Sequence, residues 1–157
     1  MCSSDLWKVS EGEDRHRRTI YTFTKRTAPF AFQATFDAPS GEACVARRES
    51  SNTALQTLTL LNDAMYLEAA RALGGLGAKQ PDDTAAVSLV FRRVLTRPPS
   101  PADLALCLEF VGKERSRLSA STADAKALAG GNGTAREGAL VGLARVLLNL
   151  DETVTRP

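Results

Sequence analysis

The residue types that can do chemistry are concentrated between positions 37 and 63. Carboxylates, arginines, a thiol and side-chain amides follow one another there at close spacing. A carboxylate pair beside arginines can support general acid–base chemistry, and a thiol near arginines can have a lowered pKa. The stretch therefore defines a candidate site made of Asp37, Glu42, Cys44, Arg47, Arg48, Asn52, Gln56, Asn62 and Asp63.

A structural interpretation of the same residues competes with the catalytic one, and we favour it. The only histidine, His16, is remote in sequence, so no pairing of a base with a nucleophile is recognisable. Arginines form bidentate pairs with carboxylates, and Asn and Asp satisfy helix ends. A calcium site from Asp37, Asn62 and Asp63 matches no EF-hand-like spacing, and we predict no metal ligand. On this interpretation the polar residues form a hydrogen-bonded scaffold.

A basic and aromatic stretch, RRTIYTFTKRT at residues 17–27, precedes the candidate site. Between residues 15 and 48, seven basic residues against two acidic ones leave a local charge of +5. Such a pattern can pair with phosphates and stack on bases. Acidic residues just upstream offset this charge, and the net charge of the whole chain is only +2. We therefore predict that these charges pair internally and that no nucleic acid is bound.

The hydrophobic pattern changes at residue 52. Residues 7–16 lack a period and are predicted to be extended or loose, whereas residues 17–27 alternate as a strand does, with a short helix as the alternative. Residues 28–51 contain prolines and read as an ordered loop with at most one turn of helix. From residue 52 the period is helical, and the first helix is predicted to bury a face made of Leu55, Leu58, Leu61 and Met65, which Leu60 and Leu67 broaden.

Capping signals predict where the helices begin and end. Asp63 is placed to open a second helix, and the glycines from Gly74 to Gly77 predict its end near Leu73. Ser100-Pro101-Ala102-Asp103 has a capping serine, a proline at the first helical position and an acidic residue three beyond the cap. Thr134 opens a further helix in the same way. The fold class is therefore mainly α: a bundle of five or six helices with an extended or loop-rich N-terminal segment.

The first six residues, MCSSDL, match the translation of a common sequencing-adapter end that begins with an initiating GTG. We expect residues 1–6 to be an artefact and the native chain to be a single, N-terminally truncated domain. Its extended or loop-rich part is residues 7–51 and its helical bundle is residues 52–157. No apolar run reaches the length of a membrane span. The two native cysteines, Cys44 and Cys107, permit one disulfide, and the sequence does not show whether they pair.

Five segments occur in an order that resembles one protein family. They are RRTIYTFTKRT, ATFDAPSGEACVARRESSNTALQTLTLLND, EAARAL, FRRVLTRPPSPADL and ARVLLNLDETVTR, and the resemblance covers about residues 11–157. The chain resembles the C-terminal part of the planctomycete secreted-protein domain of unknown function (DUF1553, PSD1). The positions that match its motifs are Arg17, Arg18, Tyr21, Lys25, Arg26, Asp37, Glu42, Cys44, Arg47, Arg48, Asn52, Gln56, Asn62 and Asp63.

The resemblance implies a large exported chain, and hence an extracytoplasmic (periplasmic or secreted) location. It implies no cofactor in this segment, although it allows a haem c bound by the missing upstream region of the full-length protein. The missing N-terminal part of the same polypeptide is the expected partner. No biochemical activity is established for the family, so we expect a structural or interaction module that is not itself an enzyme. The alternative is a polysaccharide-related enzyme or a carbohydrate-binding site centred on residues 37–63.

Overall fold

The computed structural model describes residues 12–21, 30–39, 44–47 and 50–155. The chain divides into two compact units, Met1–Ser51 and Asn52–Pro157. The described residues are mainly helical and contain no strand, so the predicted fold class is confirmed.

The first unit contains short helical turns within its described residues. Gly12–His16 and Thr19–Tyr21 are 3₁₀ helices, and α1 spans Ala31–Thr35. The expectation of an extended segment up to residue 16 is wrong there, and the described part of the predicted strand, residues 17–21, contains a 3₁₀ turn. A window this short does not separate a strand period from a helical one. The single turn of helix expected within residues 28–51 is confirmed as α1.

The second unit contains six helices of at least seven residues, in agreement with the prediction of five or six. A seventh, α8, is a single turn. The bounds are α2 Ala54–Asn62, α3 Ala64–Ala78, α4 Asp83–Leu95, α5 Pro101–Ser119, α6 Thr122–Ala129, α7 Ala135–Leu148 and α8 Asp151–Val154.

Side-chain caps begin these helices where the sequence predicts them. Thr53 forms a capping box with Gln56 at α2, and the Asp63 carboxylate accepts the Met65 N–H at α3. Ser100 and Asp103 form the predicted box at α5. The sequence analysis missed α6, although Ser121 accepts the N–H of Asp124 three residues later. Each cap satisfies backbone donors that a helix start leaves unpaired.

The predicted end of α3 near Leu73 is wrong, because the helix continues through Gly74, Gly75 and Gly77 to Ala78. The glycines serve close packing and do not terminate the helix. A Cβ on Gly74 would contact the Val141 side chain and lie 2.9 Å from the Val141 backbone nitrogen. A Cβ on Gly77 would lie 3.1 Å from Val90 Cγ2. Helix α3 therefore approaches α7 more closely than a side chain would allow.

Helix α7 is the centre of the core. It contacts α3, α4, α5, α6 and α8. Four successive residues near its start, from Gly138 to Val141, are buried, so the helix is covered on every side. The residues that pack around it include Val87, Val90, Phe91, Val111 and Leu118.

Helix α2 does not bury the face that its leucine pattern predicts. Its buried residues are Gln56 and Leu60, whereas Leu55 and Leu58 are 61% and 55% exposed. Met65, at the start of α3, is also exposed. The prediction of a buried leucine face is therefore wrong for Leu55, Leu58 and Met65, and it is confirmed for Leu60.

The glycine contact between α3 and α7 is testable by two neighbouring substitutions. We expect Gly74→Ala to lower the free energy of unfolding by about 2 kcal/mol or more, because the new methyl group overlaps Val141. Gly75→Ala is the matched control: its Cβ would meet only Glu137 Oε1 at 3.6 Å. That change should leave stability unchanged or raise it by up to about 1 kcal/mol. Urea denaturation of both variants measures the difference, and equal effects would contradict this packing argument.

Candidate functional site

In the first unit, Asp37 closes the loop that carries most of the candidate residues. Its carboxylate accepts the backbone N–H of Ser51 at 2.8 Å and the Ser51 hydroxyl at 2.8 and 2.9 Å. The residue has φ +55°, in the left-handed region, which Asp tolerates better than most residues. These hydrogen bonds join residues 37 and 51 and thereby close the loop between them. We call this contact the Asp37 clamp.

Other predicted residues of this unit lie at its surface. Arg18 lies over the Tyr21 ring at 5.8 Å from its centroid, and Arg17 pairs with Asp14 at 2.7 Å. Cys44 and Arg47 are exposed. These contacts are local and solvated, and pairs of this kind contribute little to stability. Four predicted residues lie outside the described ones: Lys25, Arg26, Glu42 and Arg48.

In the second unit, the predicted polar residues serve helix ends. The buried Gln56 accepts the Thr53 N–H through Oε1 at 3.0 Å. Asn62 donates to the Leu58 carbonyl at 2.8 Å, and Asp63 accepts at the start of α3. Asn52 donates to Asp151 of α8 at 3.1 Å. The predicted group is thus divided between the two units: Asp37, Gln56, Asn62 and Asp63 make contacts within their own unit, whereas Cys44 and Arg47 are exposed.

Arg97 organises a charged cluster that the sequence analysis missed. Its guanidinium makes a bidentate pair with Glu152, at 2.7 and 2.9 Å, and reaches Asp103 at 3.0 Å. It also lies over the Phe91 ring at 5.0 Å from the centroid. Hydrogen bonds from Arg97 lower the pKa of both carboxyls. The cluster joins the end of α4, the start of α5 and α8.

A second cluster centres on Asp83 at the start of α4. Its carboxylate pairs with Arg136 of α7 at 2.8 Å and with Arg115 of α5 at 2.6 Å. The hydrogen bond from Arg136 is the main cause that lowers the pKa of Asp83. The pairs join three helices across sequence separations of more than thirty residues. Proximity of this kind has no local signal in the sequence.

Three arginines also satisfy the carbonyl ends of neighbouring helices. Arg71 donates to Ala127 and Leu128 near the end of α6. Arg136 donates to the Ala78 and Gln80 carbonyls after α3, and Arg145 to the Leu61 carbonyl of α2 at 2.7 Å. Cations are favourable at helix C-termini because the last carbonyls carry partial negative charge. Charged side chains in this unit therefore hold neighbouring helices together.

The described residues do not form a catalytic constellation. Burial raises the pKa of the Cys107 thiol, and the nearby Asp103 carboxylate raises it further, which disfavours the reactive thiolate. Cys44 and Cys107 are both free thiols. Within the described ranges, no three His, Cys, Asp or Glu side chains are grouped to hold a metal ion. In this part of the chain every helix is too short or too polar to span a membrane.

The Asp37 clamp predicts a change in backbone protection at Ser51. Asp37→Ala removes the acceptor of a charge-assisted hydrogen bond, so we expect the Ser51 amide to exchange with solvent at least tenfold faster. Asp37→Asn keeps a residue suited to positive φ and should have a smaller effect. Arg47→Ala, at an exposed position, serves as the control. Unchanged Ser51 exchange in Asp37→Ala, together with lost ligand binding, would contradict the clamp interpretation.

The Asp83 cluster predicts a pH-dependent loss of stability. Asp83→Asn should lower the free energy of unfolding by about 1 kcal/mol at pH 7. Because the folded-state pKa of Asp83 is lowered, this contribution is complete above the unfolded pKa of about 3.9. It disappears as the pH falls through the lower folded value. Glu109→Gln, which breaks an exposed helical pair with Lys113, is the control. A difference between wild type and Asp83→Asn that persists at pH 2 would refute this assignment.

The comparisons with known proteins identify a family. Residues 3–111 match the family described as PSD1: Protein of unknown function (DUF1553). The match covers the first unit, α2 to α4 and α5 as far as Val111, so the resemblance of the last 46 residues, 112–157, stays a prediction. No curated protein and no solved structure matches the chain. On the strength of the match over residues 3–111, the chain belongs to the DUF1553 family.

Proposed function

We propose that this chain is a structural and interaction module that packs against another part of a longer, exported polypeptide. The observation that carries the proposal is the exposed apolar side of α2. The helix has no charged residue along its nine positions, yet Leu55 and Leu58 are more than half exposed. Depletion of charge is typical of the core of a protein interface, and an isolated surface helix normally has a charged outer face.

Contacts within the second unit place more exposed apolar residues near α2. Asn52 is hydrogen-bonded to Asp151, and Arg145 to the Leu61 carbonyl, so the two ends of α2 lie beside α8 and the end of α7. The exposed apolar residues of these elements, which we call the α2 apolar surface, are Leu55, Leu58, Met65, Val146, Leu150 and Val154. Exposed apolar residues that gather on one part of a monomer are a mark of an interaction site.

The polar residues between positions 37 and 63 support a scaffold more than a ligand site. Asp37 holds Ser51, Gln56 completes a capping box and Asp63 caps α3. A carbohydrate site needs polar groups that are free to bind a ligand, whereas Asp37, Gln56 and Asp63 form hydrogen bonds within the chain. These three contacts favour the scaffold over the carbohydrate-binding or enzymatic alternative.

We propose a segment of the same polypeptide as the occupant of the α2 apolar surface. The resemblance to a domain that extends further upstream supports this choice over a second copy of the chain. A covalently linked segment has a high effective concentration. A surface with few charged groups can then be covered without long-range electrostatic steering.

The test compares the chain with the polypeptide encoded by the genomic DNA that surrounds its gene. In a background without native cysteines, Leu58→Cys should react rapidly with a maleimide in the 157-residue chain. We expect at least tenfold slower labelling in the longer polypeptide. Leu106→Cys, at an exposed position of α5, is the matched control and should react equally in both.

Two outcomes would contradict the proposal. Equal labelling of Leu58→Cys in both proteins means that no added segment covers the surface. If Leu58→Cys in the 157-residue chain reacts more slowly at high than at low protein concentration, a second copy occupies the α2 apolar surface. A genome that lacks coding sequence beyond this chain would also exclude a segment of the same polypeptide as the occupant.

A further inference from the structure

The outer side of α4 carries two arginines that the fold does not use. Six other arginines of the second unit, from Arg71 to Arg145, donate hydrogen bonds to carbonyls or carboxylates. Arg92 and Arg93 are exposed, and their guanidinium groups have no ion pair or hydrogen bond to any of the described residues. A guanidinium presents five donors in a fixed planar arrangement. These two groups are therefore available to an external anion.

The two arginines belong to an open cleft of about 410 Å³ that is also lined by Ala85, Ser88 and Leu89. All five residues belong to α4, so the described residues form one wall of this open depression. Ala85, Leu89 and Arg93 succeed one another at intervals of four residues, as do Ser88 and Arg92. The row extends about 12 Å along the helix, at 1.5 Å per residue. The cleft thus has an apolar and hydroxyl-bearing part next to a cationic end.

An apolar part followed by a cationic end suits a peptide ligand better than a sugar or a nucleic acid. A half-buried alanine and leucine suit the apolar side chain of a second helix, and the same helix can present carboxylates one turn further on. Sugars and single-stranded bases are commonly bound by stacking on aromatic rings. The nearest ring in α4, Phe91, is buried in the core. The arginines also lie in the last turn of α4, where the partial negative charge of the helix end favours cations.

We propose that this cleft binds an acidic, amphipathic peptide segment of a partner protein through carboxylate pairs with Arg92 and Arg93. Leu89 and Ala85 take up an apolar residue of the same segment, and Ser88 offers a hydroxyl to its polar groups. The site is separate from the α2 apolar surface in both residues and chemistry. It therefore does not depend on the occupant of that surface.

A designed peptide provides a direct probe. The peptide has fifteen residues, with Leu and Glu spaced four apart on one face and a fluorescent label at one end. We expect saturable binding to the full chain by fluorescence anisotropy. The double variant Arg92→Gln with Arg93→Gln should bind at least tenfold more weakly, and binding should weaken as sodium chloride is raised from 50 to 500 mM.

The controls separate a specific site from general charge attraction. Lys79→Gln with Lys126→Gln removes the same charge from two exposed positions elsewhere and should change the affinity less than twofold. A peptide with Gln in place of every Glu should not bind. Equal weakening in both double variants, or no saturable binding to the wild type, overturns the proposal. Polygalacturonate that binds in an Arg92- and Arg93-dependent manner, where the peptide does not, would overturn the assignment to a peptide.

Discussion

The close approach of α3 and α7 is the constraint on which the second unit depends. Gly74 and Gly77 lie against Val141, Val90 and Leu140 at distances that a larger residue could not adopt without displacement of the neighbour. Helix α7 is covered by α3 on one side and by α4, α5 and α6 on its other sides. Dense packing of this kind transmits any change in volume to several helices. The bundle is therefore built around one central helix and one tight contact.

Charged groups fix the remaining helix ends relative to this core. Arg136 pairs with Asp83 and also satisfies carbonyls after α3, while Arg97 joins α8 to the starts and ends of other helices. Individually such partly exposed pairs are weak. Each one, however, satisfies backbone groups or carboxylates that the helix ends leave unpaired. Asp83, Arg97 and Arg136 thereby contribute to the assembly of the fold.

Two exposed surfaces of this unit differ in their chemistry. The α2 apolar surface is uncharged along α2 itself, whereas the outer side of α4 ends in Arg92 and Arg93, whose guanidinium groups make no ion pair with the described residues. Association through an apolar surface is driven by removal of area from water and depends little on salt. Association through exposed charges is steered over longer distances and is screened by salt. The two surfaces therefore suit different partners.

The sequence by itself determined the fold class and most helix starts, because capping is local. Ser100 and Asp103 lie within one turn of each other, and so do Thr53 and Gln56. It also indicated the family, which the match over residues 3–111 shows. Only the tertiary structure decided that Gly74 packs and does not end a helix, and that the leucines of α2 face outward. It likewise decided the pairing of Arg97 with Glu152, because contacts between residues far apart in sequence depend on how helices pack, and no local pattern records that.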